Sequence, residues 1–204
     1  MKFRLAGKPT LLTKRNIWIA FRYGVLYILL IHFSLGLIAA IRNRWVRNNA
    51  YGAILISGHA FTDHDHWVSP AAWAGAYPYW TYYFNNRGMQ APWFLNAKSS
   101  DFQNILQDQK CVSMVLVGHG SLNLWQATDK DITNPDVAEW MKNLPKKKGE
   151  WLQLTCGAAD ESSVKLGELV MEKDKVYNYD GSVNAYYFII DALFGFKYLK
   201  RKRM

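Results

Sequence analysis

Two short stretches hold the side chains best suited to covalent chemistry. "MVLVGHGS" (114–121) is an apolar run that ends in Gly118-His119-Gly120, and "WLQLTCGAAD" (151–160) is another that ends in Cys156-Gly157. A cysteine attacks as its thiolate. A neighbouring imidazole favours that form and later returns a proton to the leaving group. The two residues need not be close in sequence, provided they leave adjacent strands at the same edge of a sheet. Gly120 keeps its backbone N–H uncovered beside the histidine, as an oxyanion donor requires. Gly157 lets the chain turn sharply after the nucleophile.

Positioning these residues requires a sheet, and the chain supplies strands and helices in regular alternation. "GAILISG" (52–58), "APWFLNA" (91–97), "VSMVLVG" (112–118), "EWLQLTC" (150–156) and "KVYNY" (175–179) have the length and apolar character of covered strands. Between them, Trp73, Tyr77, Trp80 and Phe84 fall on one face of a helix around 77–87, which Gly88 ends. Ser99-Ser100-Asp101 is expected to cap a helix in "DFQNILQDQK". Asn134-Pro135 opens "DVAEWMKNL", and Ser162-Ser163 caps "VKLGELVMEK". "NAYYFIIDALFGF" reads as a last apolar helix. This order predicts an α/β three-layer sandwich with a mostly parallel sheet. In such sheets ligands bind beyond the carboxyl ends of the strands. His59, His119, Cys156 and Asp180 all follow strand ends.

The 204 residues carry a net charge of +9, but the excess is confined to the two ends. Residues 1–47 hold nine Lys/Arg and no acid, and residues 197–204 hold five more and no acid. That leaves eleven basic residues against sixteen acids between them. Such a distribution suits a membrane surface and gives no basic face for nucleic acid. Residues 23–41, "YGVLYILLIHFSLGLIAAI", form an apolar stretch long enough for about 28 Å of helix. Basic residues flank it on both sides. A cleaved signal peptide fits less well, since Leu37 and Ile38 precede the small pair Ala39-Ala40. The expected domains are a basic, anchored N-terminal part (1–49), an α/β domain (50–196) and a basic tail (197–204). His32, the one strongly polar side chain in the span, reads as a helix-interface or tolerated residue. Lys2, Arg4, Lys8, Lys14, Arg15 and Arg22 outnumber Arg42, Arg44 and Arg47. That bias places the N-terminus inside and the domain on the extracytoplasmic side of a single-pass protein. Cys111 and Cys156 are the only cysteines, enough for one disulfide in an exported domain but not for a disulfide framework.

The Gly-His-Gly block and the Cys-Gly block, each closing an apolar strand in this order, resemble the caspase–legumain–gingipain–separase superfamily of cysteine peptidases. "GAILISGHAFTDHDHW" and "MQAPWFLNA" are similar to the first two strands of its legumain and GPI-transamidase branch. The resemblance implies a catalytic dyad of His119 and Cys156, with the N–H groups of Gly120 and Cys156 holding the oxyanion. It implies a peptide or protein substrate and no cofactor. Thr155 departs from the small residue the family places before its nucleophile. His59, with Asp63 nearby, stands where family members orient the histidine by other means. Asp160, Glu161 and Asp180 are candidates for a pocket that takes a basic side chain, or for ordinary helix-terminal acids.

Three other readings stay open. The chain can be an inactive relative that keeps the fold as a membrane scaffold for a partner peptide or membrane complex. "VLVGHGS" also resembles the metal-binding strand of sirohydrochlorin-type tetrapyrrole chelatases, although there the motif opens the first strand. His59, His64 and His66, alternating with Asp63 and Asp65, are candidate ligands for a divalent ion, or simply a polar cleft loop.

Overall fold

In the computed structural model, residues 14–58, 68–155 and 164–178 are described. The chain opens with a long helix, α1 (Lys14–Trp45), followed by β1 (Tyr51–Ile56), α2 (Val68–Asn85), β2 (Trp93–Leu95), α3 (Ser99–Gln107) and β3 (Cys111–Val117). Three short strands follow, β4 (Gly120–Ser121), β5 (Leu124–Gln126) and β6 (Asp131–Thr133). Then come α4 (Asn134–Met141), β7 (Trp151–Leu154), α5 (Leu166–Val170) and β8 (Val176–Asn178). β2, β1, β3, β7 and β8 form one sheet in that order, and every neighbouring pair is parallel. β4, β5 and β6 form a separate antiparallel sheet.

The strands alternate between two buried faces, which is why they read as continuous apolar runs. Ala53 and Leu55, Met114 and Leu116, and Trp151 pack with Phe102, Val137 and Leu166 from α3, α4 and α5. Ile54 and Ile56, Val115 and Val117, and Leu152 and Leu154 pack with Ala76, Trp80 and Phe84 from α2. Helices therefore cover both faces of a parallel sheet, the α/β class that the alternation predicts. The expected last helix (184–196) and the basic tail lie outside the described residues.

Several boundaries move. α2 begins nine residues before the expected stretch and carries Pro78 in its interior. Trp80 and Phe84 enter the core as the spacing requires, but Trp73, two turns nearer the N-terminus, stays 37% exposed. Gly88 ends α2 as expected. Its φ is +71°, its N–H donates to Asn85 O (3.1 Å), and Met89 N–H donates to Phe84 O (3.0 Å). That pair of bonds is the Schellman arrangement, and it needs the left-handed conformation glycine adopts freely.

The caps shift by about one residue because the capping groups are partly tertiary. α3 starts at Ser99 itself, whose N–H and hydroxyl both donate to Asp129 (2.7 Å each) in the β5–β6 loop. Asp101 sits inside the first turn and accepts Lys98 N–H (2.8 Å). α4 is capped by Thr133, not Asn134. Thr133 N–H and Oγ1–H donate to Asp136 Oδ2 at 2.9 and 2.7 Å. α5 spans only Leu166–Val170 after Lys165, and Ser162 and Ser163 lie outside the described residues.

Thr133 N–H, helped by its hydroxyl, holds the Asp136 carboxyl below its ordinary value of 3.8. A depressed carboxyl stabilises the fold at pH values well above 3.8, and that contribution is lost as pH falls through the lowered folded value. Asp136→Asn is expected to cost about 1 kcal/mol at pH 7. The difference from wild type should vanish in urea titrations at the acid end, and a pH-independent difference would contradict the assignment.

Candidate active site at the carboxyl edge

The parallel pairing of β3 with β7 places Val117 opposite Leu154. Gly118 N–H continues the ladder to Leu154 O (3.3 Å). His119 is two residues beyond Val117, and Cys156 is two residues beyond Leu154 in sequence. The neighbouring strand β1 ends at the same edge, where Ser57 N–H donates to Val117 O (3.0 Å). Gly58 N–H donates to Thr128 Oγ1 (2.8 Å).

The histidine enters a hairpin. Gln126 N–H donates to His119 O (3.0 Å), so 119 and 126 form a hydrogen-bonded antiparallel pair. The next pair, Gly120 with Trp125, is then of the non-hydrogen-bonded kind, and Gly120 N–H points away from β5. β4 is an edge strand of its sheet, so that N–H points outward. His119 itself is half-buried, with Nε2 shielded from solvent.

The two glycines have a packing reason as well as a chemical one. At Gly120 (φ +145°) a Cβ would stand 2.3 Å from Leu124 O. At Gly118 a Cβ would meet Ser57 Cβ and Trp125 Nε1, each at 3.0 Å. The hairpin backbone and the Trp125 indole fill the space that any side chain at 118 or 120 would need.

β7 and the residue just after it hold this hairpin with two polar side chains to which local sequence assigns no role. Gln153, fully buried in the sheet, donates from Nε2 to Ser121 O and to Leu124 O (3.2 Å). Thr155 Oγ1–H donates to Ser121 O (3.3 Å). Thr155 thus ties the histidine hairpin to β7. Trp125 packs against Phe102, with ring centroids 5.7 Å apart, and anchors the hairpin in the core. The available signal was Gln153, a polar residue in the middle of a strand buried on both faces.

Cys111 lies at the opposite end of β3 from His119. It is a free, buried thiol whose Sγ contacts Ser113 O at 3.3 Å. Burial pushes its pKa up to about 11, so it is a poor nucleophile at neutral pH. Lys147 is buried beside it and donates from Nζ to Asp108 O and Cys111 O (2.9 Å each), which closes the amino edge of the sheet.

The structure therefore gathers Gly118, His119 and Gly120 with Trp125, Gln153 and Thr155. Cys156, His59, Asp63, His64, His66, Asp160, Glu161 and Asp180 lie outside the described residues. Among the described residues, no group of three or more His, Cys, Asp or Glu side chains is gathered to hold a metal ion. α1 includes a 31-residue segment, Arg15–Trp45, long and apolar enough to cross a membrane. Compared with known proteins, the chain matches no family model and no curated protein.

Proposed function

We infer that the chain is a membrane-anchored cysteine peptidase or transpeptidase of caspase and legumain type, acting through His119 and Cys156. The observation that carries this reading is the adjacency of β3 and β7. Two strands that are distant in sequence pair in parallel, with Val117 level with Leu154. The histidine and the cysteine each follow two residues after that matched pair. The outward N–H of Gly120 supports the same reading, since the hairpin ladder leaves it directed away from β5.

In this mechanism the Cys156 thiolate attacks the scissile carbonyl carbon, and the carbonyl π pair moves to oxygen. Gly120 N–H and Cys156 N–H stabilise that oxyanion. Collapse of the intermediate breaks the C–N bond, and His119 donates its proton to the departing amine. The resulting thioester is discharged by water in hydrolysis, or by a second amine in transpeptidation. Asp160, Glu161 and Asp180 are the acids available to select a basic side chain in the substrate. His59 and Asp63 are the candidates to orient His119. The apolar segment of α1 serves as a single-pass anchor, with the domain on the extracytoplasmic side.

Alkylation kinetics test the dyad without a known substrate. In the folded protein at pH 7, Cys156 is expected to react with iodoacetamide about tenfold or more faster than buried Cys111. His119→Ala should erase most of that advantage while leaving Cys111 unchanged. Equal rates at the two cysteines, or a Cys156 rate indifferent to His119→Ala, would sink the catalytic reading.

A further inference from the structure

α1 does not stand apart from the domain, and the way it docks fixes which end of the sheet faces a bilayer. His32, Gly36, Ala39, Ala40 and Asn43 are the less exposed positions of its C-terminal half, with Val46 just past its end, and they follow one helical face. That face lies along α2. His32 Nε2 is 2.8 Å from Ala74 O. The Arg42 guanidinium stacks over the Tyr82 ring at 5.1 Å. Asn43 Oδ1 accepts Asn85 Nδ2–H (2.8 Å) and Ala91 N–H (2.9 Å). Residue numbers rise together on both helices, so α1 and α2 run parallel.

The His32 contact has a specific cause. Pro78 lacks an N–H, so the carbonyl four residues earlier loses its helical donor. That carbonyl is Ala74 O, and His32 of α1 supplies the missing donor with Nε2–H. A carbonyl left without its helical donor favours any partner that can supply one, so the pair Pro78 and His32 sets the register between the two helices.

The direction follows from topology. α2 returns between the parallel strands β1 and β2, so it starts at their carboxyl ends. Ser69 Oγ bonds Ile56 O (3.5 Å) and accepts Asn96 N–H (3.0 Å), which places that start. α1, parallel to α2, therefore enters from the carboxyl-edge side and leaves at the amino edge, where Gln90 Nε2 donates to Val46 O (3.3 Å). Residues 15–31 of α1 are all exposed. At 1.5 Å per residue they extend about 26 Å, on the side of the sheet that carries Gly118-His119-Gly120. α2 alongside carries no charged residue over Val68–Asn85, and Phe33, Leu37, Ile38 and Ile41 of α1 remain more than half exposed beside it.

We propose that the α1–α2 pair is the protein's bilayer contact surface and that it seats the domain carboxyl edge first against the lipid, with the His119 hairpin at the membrane surface. The occupant is the lipid bilayer itself, because the exposed apolar arm of α1 continues directly into the uncharged face of α2. The inference rests on the membrane reading above and deepens it. A substrate chain reaches His119 within the interfacial layer and not from bulk water.

The test uses the full chain with Cys156→Ser, reconstituted into phosphatidylcholine vesicles. A fluorophore is placed at Lys98→Cys, exposed at the carboxyl edge, or at Lys148→Cys, exposed at the amino edge. Quenching by lipids with a spin label near the headgroup is expected to be about twofold or more stronger at 98 than at 148, given an interfacial layer on the order of 10 Å deep. Adding His32→Leu should narrow that difference by releasing α1 from its register. Equal or reversed quenching in protein that floats with the vesicles overturns the orientation alone. Protein that does not float with the vesicles overturns the membrane reading and this inference together. Neither outcome touches the dyad, which is read by alkylation.

Discussion

Gly120→Ala is expected to lower the stability of the domain by about 3 kcal/mol, near the top of the range for strained backbone positions. Two penalties act at once. The native φ of +145° lies where an L side chain is rarely found, and the new Cβ would sit 2.3 Å from the backbone oxygen of Leu124. A backbone carbonyl in a two-residue hairpin cannot yield as a flexible side chain does. For a chain of this size the melting temperature should fall on the order of 6–12 °C. Relief requires β4 to move off β5, which displaces His119 and the outward Gly120 N–H. The alkylation rate of Cys156 should therefore fall in protein that is still folded. A wild-type melting temperature for Gly120→Ala would show that the hairpin is not packed as described.

Gln153→Glu is expected to be at least as damaging at alkaline pH, although it changes no volume. The wild-type amide is fully buried and donates to Ser121 O and Leu124 O. A carboxylate there faces two carbonyl oxygens and has no proton to give. Burying such an unpaired charge costs on the order of 3–5 kcal/mol. The group responds by holding its proton, so its folded pKa rises above the unfolded value of about 4.3. An acid with a raised folded pKa loses stability as pH rises from the unfolded value to the folded one. Gln153→Glu should thus be nearly as stable as Gln153→Leu at pH 4.5 and clearly less stable at pH 8. Urea unfolding of both variants at the two pH values reads this directly, and parallel pH profiles would contradict the buried position of Gln153.

These two positions mark where sequence reasoning reached and where it stopped. Gly120 stood out because a glycine-flanked histidine after an apolar run is unusual. Its chemical rationale, an uncovered N–H beside the histidine, belongs to the proposed mechanism. Its steric rationale was not legible, because it depends on Leu124 folding back over it. The β4–β5–β6 sheet was missed since its strands are two and three residues long, too short for an alternation to register. Gln153 was visible as a polar interruption in "WLQL", but nothing local says which carbonyls it serves. The α4 cap moved from Asn134 to Thr133 because both residue types cap well and only the reach to Asp136 chooses between them. The α3 cap drew on Asp129, thirty residues away.

The class of fold was legible in the chain alone. Runs covered on both faces must be strands inside a sheet, and helices between them must return the chain, so a parallel α/β order follows from periodicity. The same reading placed His119 and Cys156 after strands and located the one apolar segment of α1. The pairing of β3 with β7 is a tertiary outcome, since strand order is set by how crossovers pack and not by local preference. So is the answer of His32 to Pro78, a match between a missing donor and an imidazole forty-two residues from the carbonyl it serves. Hydrogen-bond deficits arise locally and are repaired wherever the fold brings a partner, which is why their repair is invisible in the sequence.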